Sequence, residues 1–152
     1  MKRITVILFL VSLICHVDAQ KYFRIIDATS MSWSGGMAQS GTGITYSVKI
    51  VLLTNQKITF NDFWVGKEYG NPEMVSVSYA DGRALRKGDT VIANFTVHHY
   101  PPQSQMLNMP MPAYKSPPIP IKGDALLGFT VHKATRYRSV TKFKELPSKK
   151  YQ

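Results

Sequence analysis

Beyond residue 20, apolar and polar residues alternate with a period of two, and no 11-residue window repeats on a helical period. Alternation of that kind places one side chain on each face of an extended chain in turn, as half-buried strands require. Ile44, Tyr46, Val48, Ile50 and Leu52 make the clearest run, with smaller or polar partners between them. Residues 22–29 predict a strand before it. A small-residue loop follows over 30–42, with Gly35-Gly36 and Gly41/Gly43. After a turn at Asn55-Gln56, Ile58, Phe60 and Trp64-Val65 predict a third strand, broken near Asn61-Asp62. Gly70-Asn71-Pro72 is a turn, Val75, Val77 and Tyr79 a fourth strand, and Asp81-Gly82 a tight-turn signal. Lys87-Gly88-Asp89 opens a fifth strand to His99, and Lys122-Gly123-Asp124 a sixth to Lys133. Phe95-Thr96-Val97-His98 and Phe129-Thr130-Val131-His132 match within them, which suggests one local problem solved twice. A seventh strand is expected over 137–146.

Seven short strands and no helix predict an all-β fold: a single antiparallel β-sandwich, immunoglobulin-like, with a small β-barrel as the alternative. Its core should draw on Ile44, Tyr46, Val48, Ile50, Phe60, Val75, Val77, Phe95, Val97, Phe129 and Val131. The organisation expected is a signal peptide over 1–19, one β domain over 20–146 and a flexible tail over 147–152.

The first segment departs from the alternation. Lys2-Arg3 precede an apolar run from Ile4 to Cys15, and Val17-Asp18-Ala19 ends in a small residue. That is the layout of a cleavable export signal. The run is shorter than the ~20 residues of a membrane-spanning helix, so the mature chain is expected to have no transmembrane segment. Cleavage after Ala19 leaves 133 of 152 residues and takes away Cys15, the one cysteine. The delivered chain then has neither disulfide nor thiol chemistry. Lipidation of Cys15 is the alternative fate, although Ile14 stands where that signal wants a small residue. The expected destination is the periplasm, the cell surface or the medium.

Charge adds a second bias. Removing Lys2, Arg3 and Asp18 from the 19 basic and 9 acidic residues leaves 17 and 8, a net +9. Seven basic residues lie beyond His132, opposed only by Glu145. Arg136, Arg138, Lys142 and Lys144 are therefore candidates for contact with an anionic partner; the partner expected is an unknown protein or an anionic envelope component, and no nucleic acid is expected. The competing reading is an edge strand whose lysines block sheet-to-sheet association.

Specific chemistry is sparse. The glycine-rich stretch 33–43 leads into a strand and lacks a Gly-Lys-Ser/Thr ending, so it reads as a strand connection rather than a phosphate loop. Trp33 beside it reads as a core plug or, alternatively, a stacking platform. Residues 100–120 hold seven of the nine prolines. His98, His99, Met106, Met109 and Met111 cluster at and within that loop, and imidazole with thioether suits copper. Adjacent His98 and His99 should point to opposite faces of a strand. Asn94-Phe95-Thr96 fits a glycosylation acceptor, and Asp89-Thr90-Val91 a short O-glycan pattern. No Gly-x-Ser-x-Gly or His-Glu-x-x-His motif is present, and the carboxylates are scattered, several at turns. The expectation is a non-enzymatic binding or interaction module without a cofactor. The alternatives are an extracytoplasmic copper protein and a hydrolase with an unrecognised site.

Trp33-Ser34-Gly35-Gly36, Ser40-Gly41-Thr42-Gly43-Ile44-Thr45-Tyr46 and Phe63-Trp64-Val65-Gly66 resemble a group of small exported Bacteroidetes proteins of unknown function. Lys122-Gly123-Asp124-Ala125-Leu126-Leu127-Gly128-Phe129 and Phe143-Lys144-Glu145-Leu146 extend the likeness over most of the mature chain. The resemblance implies an exported single domain and brings no catalytic or binding residues with it.

Overall fold

A computed structural model describes residues 21–36, 41–76, 85–99 and 115–151. These residues form nine strands and no helix. In chain order they are β1 (Phe23–Ser34), β2 (Thr42–Leu52), β3 (Thr59–Val65), β4 (Glu68–Gly70), β5 (Glu73–Ser76), β6 (Thr90–His99), β7 (Ala125–Val131), β8 (Ala134–Val140) and β9 (Lys144–Lys150). One sheet has the order β5-β6-β2-β1-β9, the other β4-β3-β7-β8. Read without β9, the first is the D-E-B-A sheet of an immunoglobulin-type sandwich. The second is its C-F-G sheet with a short C′ strand. The sandwich expected from the alternation is therefore the observed fold, with nine strands in place of about seven.

The core forms where the alternating faces meet. Val48, Ile50 and Leu52 of β2 and Val91, Ala93, Phe95 and Val97 of β6 are buried on one side. Phe63, Leu127, Phe129 and Val131 are buried on the other. Edge-to-face and tilted aromatic pairs tie the layers together. Phe23 meets Phe129 at 4.8 Å and Phe60 at 5.3 Å between ring centroids, and Phe63 meets Phe95 at 5.3 Å. Such ring pairs add about 0.5–1.5 kcal/mol each beyond the area they bury. They occupy the inter-sheet region that a disulfide bridges in antibody domains. The third strand, expected to be broken near Asn61-Asp62, is continuous, with a register shift between Phe60 and Asp62 in its pairing with β7.

Three expectations are corrected. β1 continues to Ser34, so the glycine loop is shorter than 30–42. The seventh strand is two strands in different sheets, β8 and β9, turned at residues 141–143. Residues 147–150, expected as part of a flexible tail, are the second half of β9, which runs parallel to β1. The matching strands β6 and β7 lie in opposite sheets. Their Lys-Gly-Asp leads nonetheless share one solution. Gly88 and Gly123 take positive φ (92° and 125°), a conformation open to glycine without a Cβ penalty. Asp89 Oδ2 accepts the Arg86 N–H at 2.7 Å, and Asp124 Oδ2 accepts the Phe143 N–H at 2.9 Å.

Of the expected core, Val48, Ile50, Phe95, Val97, Phe129 and Val131 are buried, and Tyr46 and Phe60 pack against the cluster partly buried. Ile44 is half-buried. Val75 pairs with Ile92 in β5–β6, and Val77 lies outside the described residues. No helix among the described residues is long and apolar enough to cross a membrane.

Candidate functional site

Two consecutive cross-strand rungs gather the chemistry at one end of the five-stranded sheet. In the first, Lys149 pairs with Trp33, Trp33 with Gly43, and Gly43 with His98. Residues directly opposite across strands share a face. The glycine leaves a gap between two rings, and Trp33 and His98 meet edge-to-face over it at 5.1 Å. A Cβ on Gly43 would run into Trp33 Cζ2 and stand 2.5 Å from the Val97 carbonyl oxygen. The tyrosine after β9 completes the group. Tyr151 donates its N–H to the Ser34 carbonyl at 3.0 Å, its ring lies 6.4 Å from Trp33, and Lys149 Nζ stands 4.7 Å over it.

The second rung is Lys150, Ser34, Thr42 and His99. All four line an open cleft of about 330 Å³ together with Ser32 and Ser148. This end of the sheet thus carries an ammonium, an exposed imidazole, a half-buried indole and an exposed phenol ring on its outer face, and an ammonium, an exposed imidazole and several hydroxyls on the inner one. Ammonium and hydroxyl groups donate hydrogen bonds to anionic oxygens, and ring faces accept the apolar faces of a ligand.

The structure separates the residues expected to meet an anionic partner. Arg136 pairs with Phe129 and Arg138 with Leu127, so both share the inward face of β8. Arg136 lies 5.4 Å over the Tyr22 ring. Inward-pointing charge on an edge strand is a device that blocks edge pairing, and these arginines are half-buried. Lys142 and Lys144 line a different cleft with Asp27 and Glu145. The four do not form one surface. In the segment expected to be a tail, Lys149 converges with the aromatic group, and Lys150 lines the cleft with His99.

His98 and His99 point to opposite faces, as the alternation requires, and both are exposed. Met106, Met109 and Met111 lie outside the described residues. Among the described residues no group of three or more His, Cys, Asp or Glu is close enough to hold a metal ion. Trp33 is no core plug: its ring lies on the outer face of its sheet. Asn94 is mid-strand, its side-chain oxygen accepting from Ser47 Oγ at 2.7 Å.

The other sheet carries a polar latch on its outer face. Asp62 is 7% exposed and accepts from Tyr69 Oη at 2.7 Å and Lys115 Nζ at 3.0 Å. Buried Trp64 donates Nε1–H to the Lys115 carbonyl at 2.8 Å. Lys115 also stands 5.3 Å over Tyr69 and 5.7 Å over Trp64. The hydrogen bond to Asp62 is the largest cause holding both Tyr69 and Lys115 above their ordinary values. All its polar groups are engaged with one another, so the latch is a structural fastening for residues 115–121.

No protein-family profile, curated protein or solved structure matches this chain.

Proposed function

We propose that this chain is an exported, non-enzymatic binding module that engages an anionic envelope component at the end of its five-stranded sheet. The observation that carries this reading is the pair of rungs at that end, which sets Lys149 with Trp33, His98 and Tyr151 on the outer face and Lys150 with His99 on the inner one. A net charge of +10 over the full sequence supports it by favouring approach of anionic surfaces. The export signal read at residues 1–19 supports delivery to the periplasm, the cell surface or the medium.

Retention on immobilised heparin and on anionic vesicles tests the reading. The wild-type protein is expected to bind at least one of the two at low salt and to elute as salt rises. Lys149→Gln with Lys150→Gln is expected to elute distinctly earlier, whereas Arg136→Gln with Arg138→Gln changes elution little. Failure to bind either matrix at low salt overturns the reading. So does loss of binding through the arginine pair alone.

A further inference from the structure

Along β1 the residues facing the opposite sheet change character. Phe23, Ile25 and Ala28 belong to or pack against the core, but Ser30 and Ser32 follow on the same face, opposite Tyr46 and Ile44. Large apolar filling stops at that point. Between the sheets there remains an open cleft of about 410 Å³, lined there by Ser30, Ser32, Tyr46 and Phe143. That volume lies within the ~300–1,000 Å³ of small-molecule sites. The Tyr46 and Phe143 rings stand 5.1 Å apart as an aromatic wall, and Asp124 fixes the Phe143 backbone through its N–H.

The sign of the cleft is opposite to that of the chain. Asp124 and Glu145 line it, and among the described residues no lysine, arginine or histidine does. Glu145 pairs with Ser30 and shares its inward face, whereas Lys144 pairs with Thr29 on the outer one. Lys142 and Lys144 line the neighbouring cleft with Asp27, which meets this one at Phe143 and Glu145. Burial first, then the negative fields of Glu68 and Asp124, hold the Tyr46 phenol above its ordinary value.

We propose that this inter-sheet cleft binds a small organic cation with an apolar body, such as an aromatic or short-chain primary ammonium. Its ammonium donates to the carboxylates and hydroxyls, and its body packs on Tyr46 and Phe143. The site adjoins the anionic-ligand corner at Ser32 and Ile44 but does not depend on that reading.

Titrating the full chain with phenethylammonium, 2-phenylethanol and 3-phenylpropionate, followed by calorimetry and NMR, tests this. The ammonium is expected to bind most tightly and the carboxylate least, with shifts centred on Ser30, Ser32, Tyr46 and Phe143. Glu145→Gln, an exposed position, should weaken the ammonium about three- to tenfold, the scale of one charge-assisted contact. Ser32→Phe, which fills the cleft, should abolish binding while the thermal midpoint stays within the folded range. Equal affinity for the alcohol overturns the proposal. An unchanged affinity in Glu145→Gln, shifts centred elsewhere or no binding of the ammonium do so equally.

Discussion

At Gly43 one missing Cβ lets Trp33 and His98 meet across a strand. Nothing in the sequence pairs residues so far apart, so the glycine reads as loop and the indole as core until β1 and β2 are in register. The β7–β8 turn poses a residue-scale problem of another kind. His132 and Lys133 both take positive φ (50° and 66°) between paired Val131 and Ala134. A two-residue hairpin with both φ positive favours Asn-Gly, and an ordinary side chain there costs ~1–2 kcal/mol. Lys133→Gly is therefore expected to stabilise the fold by about 1 kcal/mol, read as a higher denaturation midpoint at unchanged slope. At Asp62 the sign of the pH dependence follows from the partners. Tyr69 and Lys115 are both raised in the fold, mainly by hydrogen bonding to Asp62. Their protonated forms are the ones the fold favours. The contribution is thus complete below the ordinary values of about 10 and lost as pH rises through the folded ones. Asp62→Asn should flatten the loss of thermal stability between neutral and strongly alkaline pH. An alkaline slope identical to wild type would remove the latch from the account.

Among the elements, those carried by alternation were legible. β6 from Val91 to Val97 and β2 from Val48 onward bury every second residue, and Val48, Ile50, Phe95 and Val97 are core as expected. β7 was legible as a strand but not in its surroundings, because all its residues but Thr130 are buried. Leu126 pairs with Trp64 on the outer face, the face on which Trp64 holds Lys115. Burial on both faces follows from a cover contributed by another segment, which periodicity cannot report. β9 was illegible for the opposite reason. All seven of its residues are exposed, with Lys144, Lys149, Lys150 and Pro147. Lysine and proline on an edge strand deter further pairing, and they compose a tail equally well. Only its parallel partner β1 defines it as a strand. Truncation after Leu146 strips the pairings to Trp33 and Ser34 and bares part of the β1 edge. Such a protein should elute from size exclusion in a concentration-dependent oligomeric form, whereas the full chain does not. A truncated chain that stays monomeric at every concentration would contradict the protective role of β9.

For the molecule as a whole, strand spacing and turn signals were enough for the sandwich, while the count fell two short. β4 spans only three residues, and the β8–β9 break at 141–143 moves the chain from one sheet to the other with no proline or glycine to mark it. The candidate site was legible in its parts, His98, His99, Trp33 and a basic carboxyl-terminal region. It was not legible as a place. Assembly depends on the rungs that join β9, β1, β2 and β6, and those set the arginines of β8 apart from the lysines of β9. The central claim is that anionic ligands meet the molecule at that corner. Mapping amide shifts during titration with a short heparin oligosaccharide at low salt tests it most directly. The account predicts shifts concentrated at residues 31–34, 42–44, 96–99 and 148–151, and their loss in the Lys149→Gln, Lys150→Gln protein. Shifts confined to the neighbourhood of Arg136, Arg138 and Lys142, or none at all, would contradict it.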